Sequence, residues 1–203
     1  MLTYALVVTA AFALVELAGG VLSGSLALLS DAGHMFTDVL ALGLSLGAAL
    51  VAGRQATARH TFGFLRAEIL VALVNGIALV GISLLVINEA LGRLSHPTPV
   101  DADLMLIVAV AGMGANILGM ALLHRGSKDN LNVRGAFLHM MGDLLSSFGV
   151  IAAALLIRFF GWQEADALIG LAIAAIIMVG AYRLISQSVS ILLEAVPKHI
   201  QLE

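Results

Sequence analysis

The sequence predicts an all-α integral membrane protein of six transmembrane helices, and three observations carry that reading. Hydrophobic residues make up 61% of the 203 and charged residues 11%, with a mean hydropathy of +1.05, whereas a soluble domain holds roughly 45–50% and about 25%. The apolar residues gather into runs of the ~20 that a spanning helix needs. Charges and turn formers stand between the runs, so six spans with short connections use nearly the whole length and leave no room for a sizeable soluble domain.

The first run extends from Met1 to about Leu22, with no basic segment before it and no small-residue cleavage site at a suitable distance, so it reads as a span and not as a signal peptide. Further runs lie at about Leu26–Ala52, Phe64–Leu91, Leu104–Leu123, Gly135–Phe159 and Ala167–Leu193. The segment Ser95-His96-Pro97-Thr98-Pro99 separates the third from the fourth. Gly20 with Gly24, and Gly43 with Gly47, have the small-xxx-small spacing that lets helix backbones approach closely, and plain helix packing accounts for them.

With the N-terminus in the cytoplasm, Arg54, Arg59, Arg66, Arg125, Lys128, Arg134, Arg183 and Lys198 fall on the inner side, and only Arg93 and Arg158 on the outer side. The positive-inside rule then places both termini in the cytoplasm of a multi-pass protein of the cell (inner or plasma) membrane. Trp162, in the outer connection between spans five and six, stands where an indole sits at the headgroup level. A net charge of −3 and the lack of a basic face exclude nucleic acid as a partner. With no Cys, disulfides and thiolate chemistry are excluded, and His, Asp, Glu and backbone oxygen remain as metal ligands.

Charged groups deep in a span are costly and mark a pathway or a site. Span two carries His34-Met35-Phe36-Thr37-Asp38 and span five His139-Met140-Met141-Gly142-Asp143, each a His-x-x-x-Asp. Residues i and i+4 share one helix face, so each pair aims an imidazole and a carboxylate at one point. Two such helices side by side offer two nitrogens and two oxygens, a four-coordinate set suited to Zn²⁺, whereas Mg²⁺ and Ca²⁺ prefer more oxygens. At ~1.5 Å per residue, Asp38 lies about 19 Å below the outer end of its span and Asp143 about 13 Å above the inner end of its own. In a core ~30 Å thick those levels nearly coincide.

The two spans run in opposite directions, and aligning His34 on His139 also matches Leu26 with Leu131, Met35 with Met140 and Leu40 with Leu145. This is compatible with an inverted 3+3 repeat. The blander account, an internal His-to-Asp hydrogen bond in each pair, serves one pair well and two pairs of identical spacing and matched depth poorly.

Other polar residues divide between roles. Asp31, three residues before His34, stands nearer the outside, either along an exit route or in a structural hydrogen bond. Glu16 and Asn116 lie deep enough to need partners or to line a pathway, and Asn75 suits an interhelical hydrogen bond. Glu68, two residues from Arg66, reads as an interfacial ion pair or cap. His60, beside Arg59 in an inner loop, either meets metal before entry or is simply solvated; His124, His96 and His199 have weaker claims. Met35, Met140 and Met141 adjoin the ligands without sharing their face and read as packing.

Four segments carry a family resemblance: Ser23-Gly24-Ser25-Leu26-Ala27-Leu28-Leu29-Ser30-Asp31-Ala32-Gly33-His34 on to Asp38, Thr61-Phe62-Gly63-Phe64-Leu65-Arg66-Ala67-Glu68-Ile69-Leu70, Asn130-Leu131-Asn132-Val133-Arg134-Gly135-Ala136 on to Asp143, and Ile191-Leu192-Leu193-Glu194-Ala195-Val196-Pro197. Through them the chain resembles the cation diffusion facilitators, the six-helix zinc transporter family. The resemblance implies homodimeric efflux of divalent cations, chiefly Zn²⁺, in exchange for H⁺, by alternating access around a site between helices two and five. On it, His34, Asp38, His139 and Asp143 fall at the four ligand positions, and two His with two Asp look like the zinc-preferring branch. His60 answers only weakly to a loop ligand, having no acidic neighbour. The resemblance further implies that residues 1–195 are the transport domain and 196–203 the start of a cytoplasmic ferredoxin-like domain that is truncated or absent here.

Zn²⁺ needs neutral imidazole and ionised carboxylate, and so competes with protons for the same atoms. Efflux of Mn²⁺, Co²⁺, Cd²⁺ or Fe²⁺ by the same mechanism is the near alternative. An integral-membrane metal enzyme is a more distant one, since four protein ligands leave no open position for water. A subunit whose polar pairs merely hold helices together would bind no zinc saturably.

Overall fold

A computed structural model describes residues 2–52, 65–124 and 131–193. Among them are six helices in chain order: α1 (Leu2–Ser23), α2 (Leu26–Ala52), α3 (Leu65–Ser95), α4 (Ala102–His124), α5 (Leu131–Phe160) and α6 (Glu164–Leu192). Helices are the form in which an apolar run satisfies its own backbone within a bilayer. Among the described residues four stretches are long and apolar enough to cross one: Leu6–Ser23, Ile69–Ser95, Met141–Phe160 and Glu164–Leu192. In α4 the apolar stretch, Ala102–Leu118, is shorter. The helices outrun the apolar runs at several ends, as where α6 begins at Glu164 and not at Ala167, because hydropathy marks the lipid-embedded part and the polar capping turns lie beyond it.

Three connections meet at one end of the bundle, so successive helices run antiparallel. Asp101 N–H donates to the Ser23 carbonyl (2.9 Å) and Val100 N–H to Gln163 Oε1 (3.1 Å), while Arg158 pairs with Asp103. α1 stops in a Schellman-type turn: Gly24 adopts φ +72°, and the Ser25 N–H reaches back to the Gly20 carbonyl at 3.0 Å. Gly24 therefore serves as a helix cap and not as the second half of a packing motif. Asp101 caps α4, its Oδ1 accepting from the N–H groups of Asp103 (3.1 Å) and Leu104 (3.0 Å).

Among the described residues the most extensive pairings are α3 with α6, α4 with α5 and α1 with α2, and the α2–α5 pairing is among the slighter ones. The core is built from small and medium side chains, among them Ala27, Leu28, Met105, Val150, Ala153 and Ala174, which lets helices come close where burying apolar surface is no driving force. At Gly170 an added Cβ would lie 3.2 Å from the Ala27 nitrogen, so glycine there lets α6 sit this close to the start of α2 and a side chain would push the two backbones apart by a few tenths of an ångström. Large apolar side chains face outward instead, such as Leu85, Ile107, Leu118, Phe160 and Ile176. Water would not tolerate so much exposed apolar surface on a monomer; lipid is its natural solvent.

Candidate metal centre

His34 and Asp38 lie one turn apart on α2, which keeps both on the face turned to α5. Asp143 approaches from α5, and one ligand atom from each of the three lies within 4.8 Å of the others. His34 Nε2 stands 3.5 Å from Asp143 Oδ1, with the two side chains 29% and 15% exposed. They are therefore half-buried inside the bundle, where a divalent cation between them would lose little to screening. His139 sits on α5 one turn before Asp143, and its side chain lies outside the described residues. So do His60, His199 and residues 196–203, as well as the side chains of Glu68 and His124. Thr37, within the α2 motif, does not point to a ligand role: its Oγ1 donates to the carbonyl of His34 at 2.6 Å.

Around this set is a second layer of polar groups. One turn from His34, toward the end where α1 meets α2, Ser146 Oγ of α5 donates to Asp31 Oδ1 at 2.7 Å. Asp31 is 4% exposed, and the bond spans the α2–α5 seam immediately beside the three ligands. Asn116 Nδ2 reaches Ser147 Oγ at 3.5 Å, a contact at the limit of a hydrogen bond. The buried Oδ1 of Asn75 has no partner among the described residues. Met35 is buried and Met141 exposed, and the side chain of Met140 lies outside the described residues.

The residue that sequence reasoning missed is Asp166. It is 1% exposed and caps α2 from α6: its Oδ1 accepts from Ser25 Oγ (2.6 Å) and Ala27 N–H (3.1 Å), and its Oδ2 from Leu26 N–H (2.7 Å). Ser25 Oγ in turn accepts from Leu28 N–H at 3.1 Å. The N-terminal amides of α2 are thus satisfied by a carboxylate, whose charge also suits the helix dipole. Arg93 adds to the cluster by donating from Nη1 to the Gly24 carbonyl at 2.5 Å. The signal available in the sequence was a Ser just before α2 and an acid in the first turn of α6; that the two meet is a matter of packing.

Fold and site together define a class, an integral membrane helix bundle with an imidazole–carboxylate set fit for a metal cation inside it. The comparison with known proteins narrows this: residues 2–193 match the cation efflux transmembrane domain, and the chain belongs to that family, the cation diffusion facilitators. It is 52% identical over 197 residues to the zinc transporter ZitB of Escherichia coli (strain K12), covering 97% of this chain and 63% of that protein. It is also similar to the cadmium, cobalt and zinc/H(+)-K(+) antiporter of Bacillus subtilis (strain 168), at 43% over 191 residues, 93% of this chain and 61% of the antiporter. To the metal cation efflux system protein CzcD of Cupriavidus metallidurans it is 41% identical over 201 residues, 99% and 64% of the two chains. The chain thus spans just under two thirds of the length of these relatives.

Proposed function

We propose that this chain is the transport domain of a divalent-cation exporter that moves Zn²⁺ out of the cytoplasm in exchange for H⁺. The observation that carries the reading is the convergence of His34, Asp38 and Asp143 from two helices, with His139 one turn from Asp143 on the same helix as the fourth ligand. Two imidazoles and two carboxylates make a compact N/O shell that favours zinc over the harder cations. Relatives named for zinc, and for cadmium, cobalt and zinc, support the substrate class. Cadmium and cobalt are the second reading, on the strength of that name. The relatives' names speak for a transporter and against the membrane-enzyme alternative.

Six spans, with both termini cytoplasmic in the cell membrane, place the end where α1 meets α2 on the outer side. The site then lies at the α2–α5 seam, one of the slighter pairings in the bundle, where a small rigid-body shift of one helix against the other changes which side reaches the ligands. Zinc binds in the neutral-imidazole, ionised-carboxylate state, and protons arriving from outside compete for His34 and His139 and release it. Asp38 and Asp143 supply the negative charge that offsets the divalent ion. The family resemblance further supports a homodimer, with residues 1–195 as the transport domain and 196–203 leading into a cytoplasmic one.

The test is Zn²⁺ flux in proteoliposomes under an imposed pH gradient, with Asp38→Ala/Asp143→Ala as control. Gradient-driven flux lost in the double variant, at unchanged helix content, supports the reading. Equal flux in both would overturn the site assignment.

A further inference from the structure

Glu16 lies in the middle of α1, 1% exposed, and its Oε2 has no hydrogen-bond partner among the described residues. The space for it is made by glycine: a Cβ on Gly112 of α4 would overlap Glu16 Oε1. The helices packed against α1 are α2 and α4, and neither carries a Lys or Arg, nor does α1 itself. The charged groups that Glu16 faces are acidic, Asp31 of α2 and, across the seam, Asp143 of α5, both within electrostatic range. His34 and Asp38 follow Asp31 along α2, and the one acid within the apolar part of α4, Asp103, stands exposed in its first turn. Counted at ~1.5 Å per residue from the helix ends that share the α1–α2 turn, Glu16 lies about 10 Å in, Asp31 about 8 Å and His34 about 12 Å. Glu16 is thus level with the outer edge of the ligand set, with Asp31 beside it.

A carboxyl group that serves only to hold helices together would be hydrogen-bonded through both oxygens, since a buried polar atom without a partner costs about 1–3 kcal/mol. A bare carboxylate among other carboxylates, without a cation, costs more. The occupant that fits the space and cancels the charge is a proton. We infer that Glu16 is a proton-binding site of the exchange cycle, separate from the metal ligands, with Asp31 as the carboxylate between it and His34. Protons entering from the end where α1 meets α2 reach Glu16 and Asp31 before they reach the imidazoles, so the loaded proton stands ready beside the site when zinc leaves. The inference rests on the proton-exchange reading above.

The experiment compares two fluxes in proteoliposomes, Zn²⁺ uptake driven by a pH gradient and Zn²⁺ counterflow at equal pH, together with Zn²⁺ affinity by calorimetry. Glu16→Gln keeps size and polarity but cannot exchange a proton. It is expected to lose gradient-driven uptake by an order of magnitude or more while counterflow and affinity stay near those of the unaltered protein. Glu16→Asp, which retains an ionisable group, is expected to keep part of the gradient-driven uptake, and it carries the test if the Gln variant fails to fold. Gradient-driven uptake that survives in Glu16→Gln, or is abolished as fully in a folded Glu16→Asp, overturns the inference. An order-of-magnitude loss of zinc affinity in Glu16→Gln also overturns it, by making Glu16 part of the metal site. Failure of the parent reading looks different: the unaltered protein would then show no counterflow, or counterflow with no response to a pH gradient.

Discussion

At the scale of single residues, the site's chemistry is set by what each ligand can give up. Asp143 stands opposite His34 across the α2–α5 seam, so in the proposed site the loss of its carboxylate leaves the imidazole facing an uncharged gap and a cation bound there short of one negative charge. Asp143→Ala is expected to abolish zinc flux without loss of helix content, as read by proteoliposome uptake and circular dichroism. Normal flux in that variant would mean that the cation binds elsewhere. Replacing an imidazole with a carboxylate relaxes the shell toward larger, more oxygen-rich coordination. His34→Asp should therefore raise the ratio of cadmium to zinc transport, and an unchanged ratio in competition assays would count against the assignment. Both motifs were legible in the sequence because i, i+4 spacing is fixed by helix geometry alone. The roles of Asp31 and Asn116 were not, since Ser146 and Ser147, their partners, lie more than thirty residues away or on the far side of the seam.

Among the elements, α2 matters most, and what fixes its position lies at its start. Asp166 of α6 satisfies two N-terminal amides of α2 and the hydroxyl of Ser25, and hydrogen bonds to a charged group contribute about 1.5–3 kcal/mol each. Asp166→Ala is expected to destabilise the bundle by several kcal/mol, since the loss also strands buried N–H groups, and to lower the midpoint of thermal unfolding in detergent. Ser25→Ala should cost less, because Asp166 keeps its two backbone partners. An unfolding midpoint that does not move in Asp166→Ala would show that the trans cap is not holding α2. Glycine ends the helix before it: at φ +72° any side chain at position 24 is strained. The carbonyl that Arg93 binds belongs to this same residue, so the turn is held from both sides.

For the whole molecule, the pairing of α2 with α5 is among the slighter ones, whereas α3 with α6 and α4 with α5 make the broadest. The proposed rocking motion can leave the broad pairings intact while opening or closing the α2–α5 seam, where Ser146 and Asp31 bridge at 2.7 Å. The sequence has no Cys, so Asp31→Cys/Ser146→Cys introduces the only thiol pair. Bridging that pair with a short bifunctional thiol reagent is expected to stop the zinc counterflow at equal pH that the unbridged double variant retains, and counterflow that persists after complete bridging would exclude movement at this seam. Zinc affinity is also expected to fall as pH drops from neutral into the acid range, because protons compete for the same ligand atoms. The sign follows from the competition: protons favour the empty site and higher pH the loaded one. Calorimetric affinities that do not change across that range would exclude the histidines as proton-sensitive ligands.

What the sequence determined by itself is everything that depends on local pattern. Apolar runs of bilayer length, the turn formers between them and the two His-x-x-x-Asp motifs follow from composition and from periods shorter than a helical turn or two. The tertiary structure decided the matters of distance. It brought Asp143 to His34 and Asp38, bridged Asp31 to Ser146, and set Asp166 against the start of α2, some 140 residues earlier in the chain. It also enclosed Glu16 against Gly112 with one oxygen unpartnered. The reason is physical: helix geometry is written into each segment of about twenty residues, but where one helix lies against another depends on how small residues such as Gly170 let backbones approach, and that is a property of two surfaces meeting and of neither sequence alone.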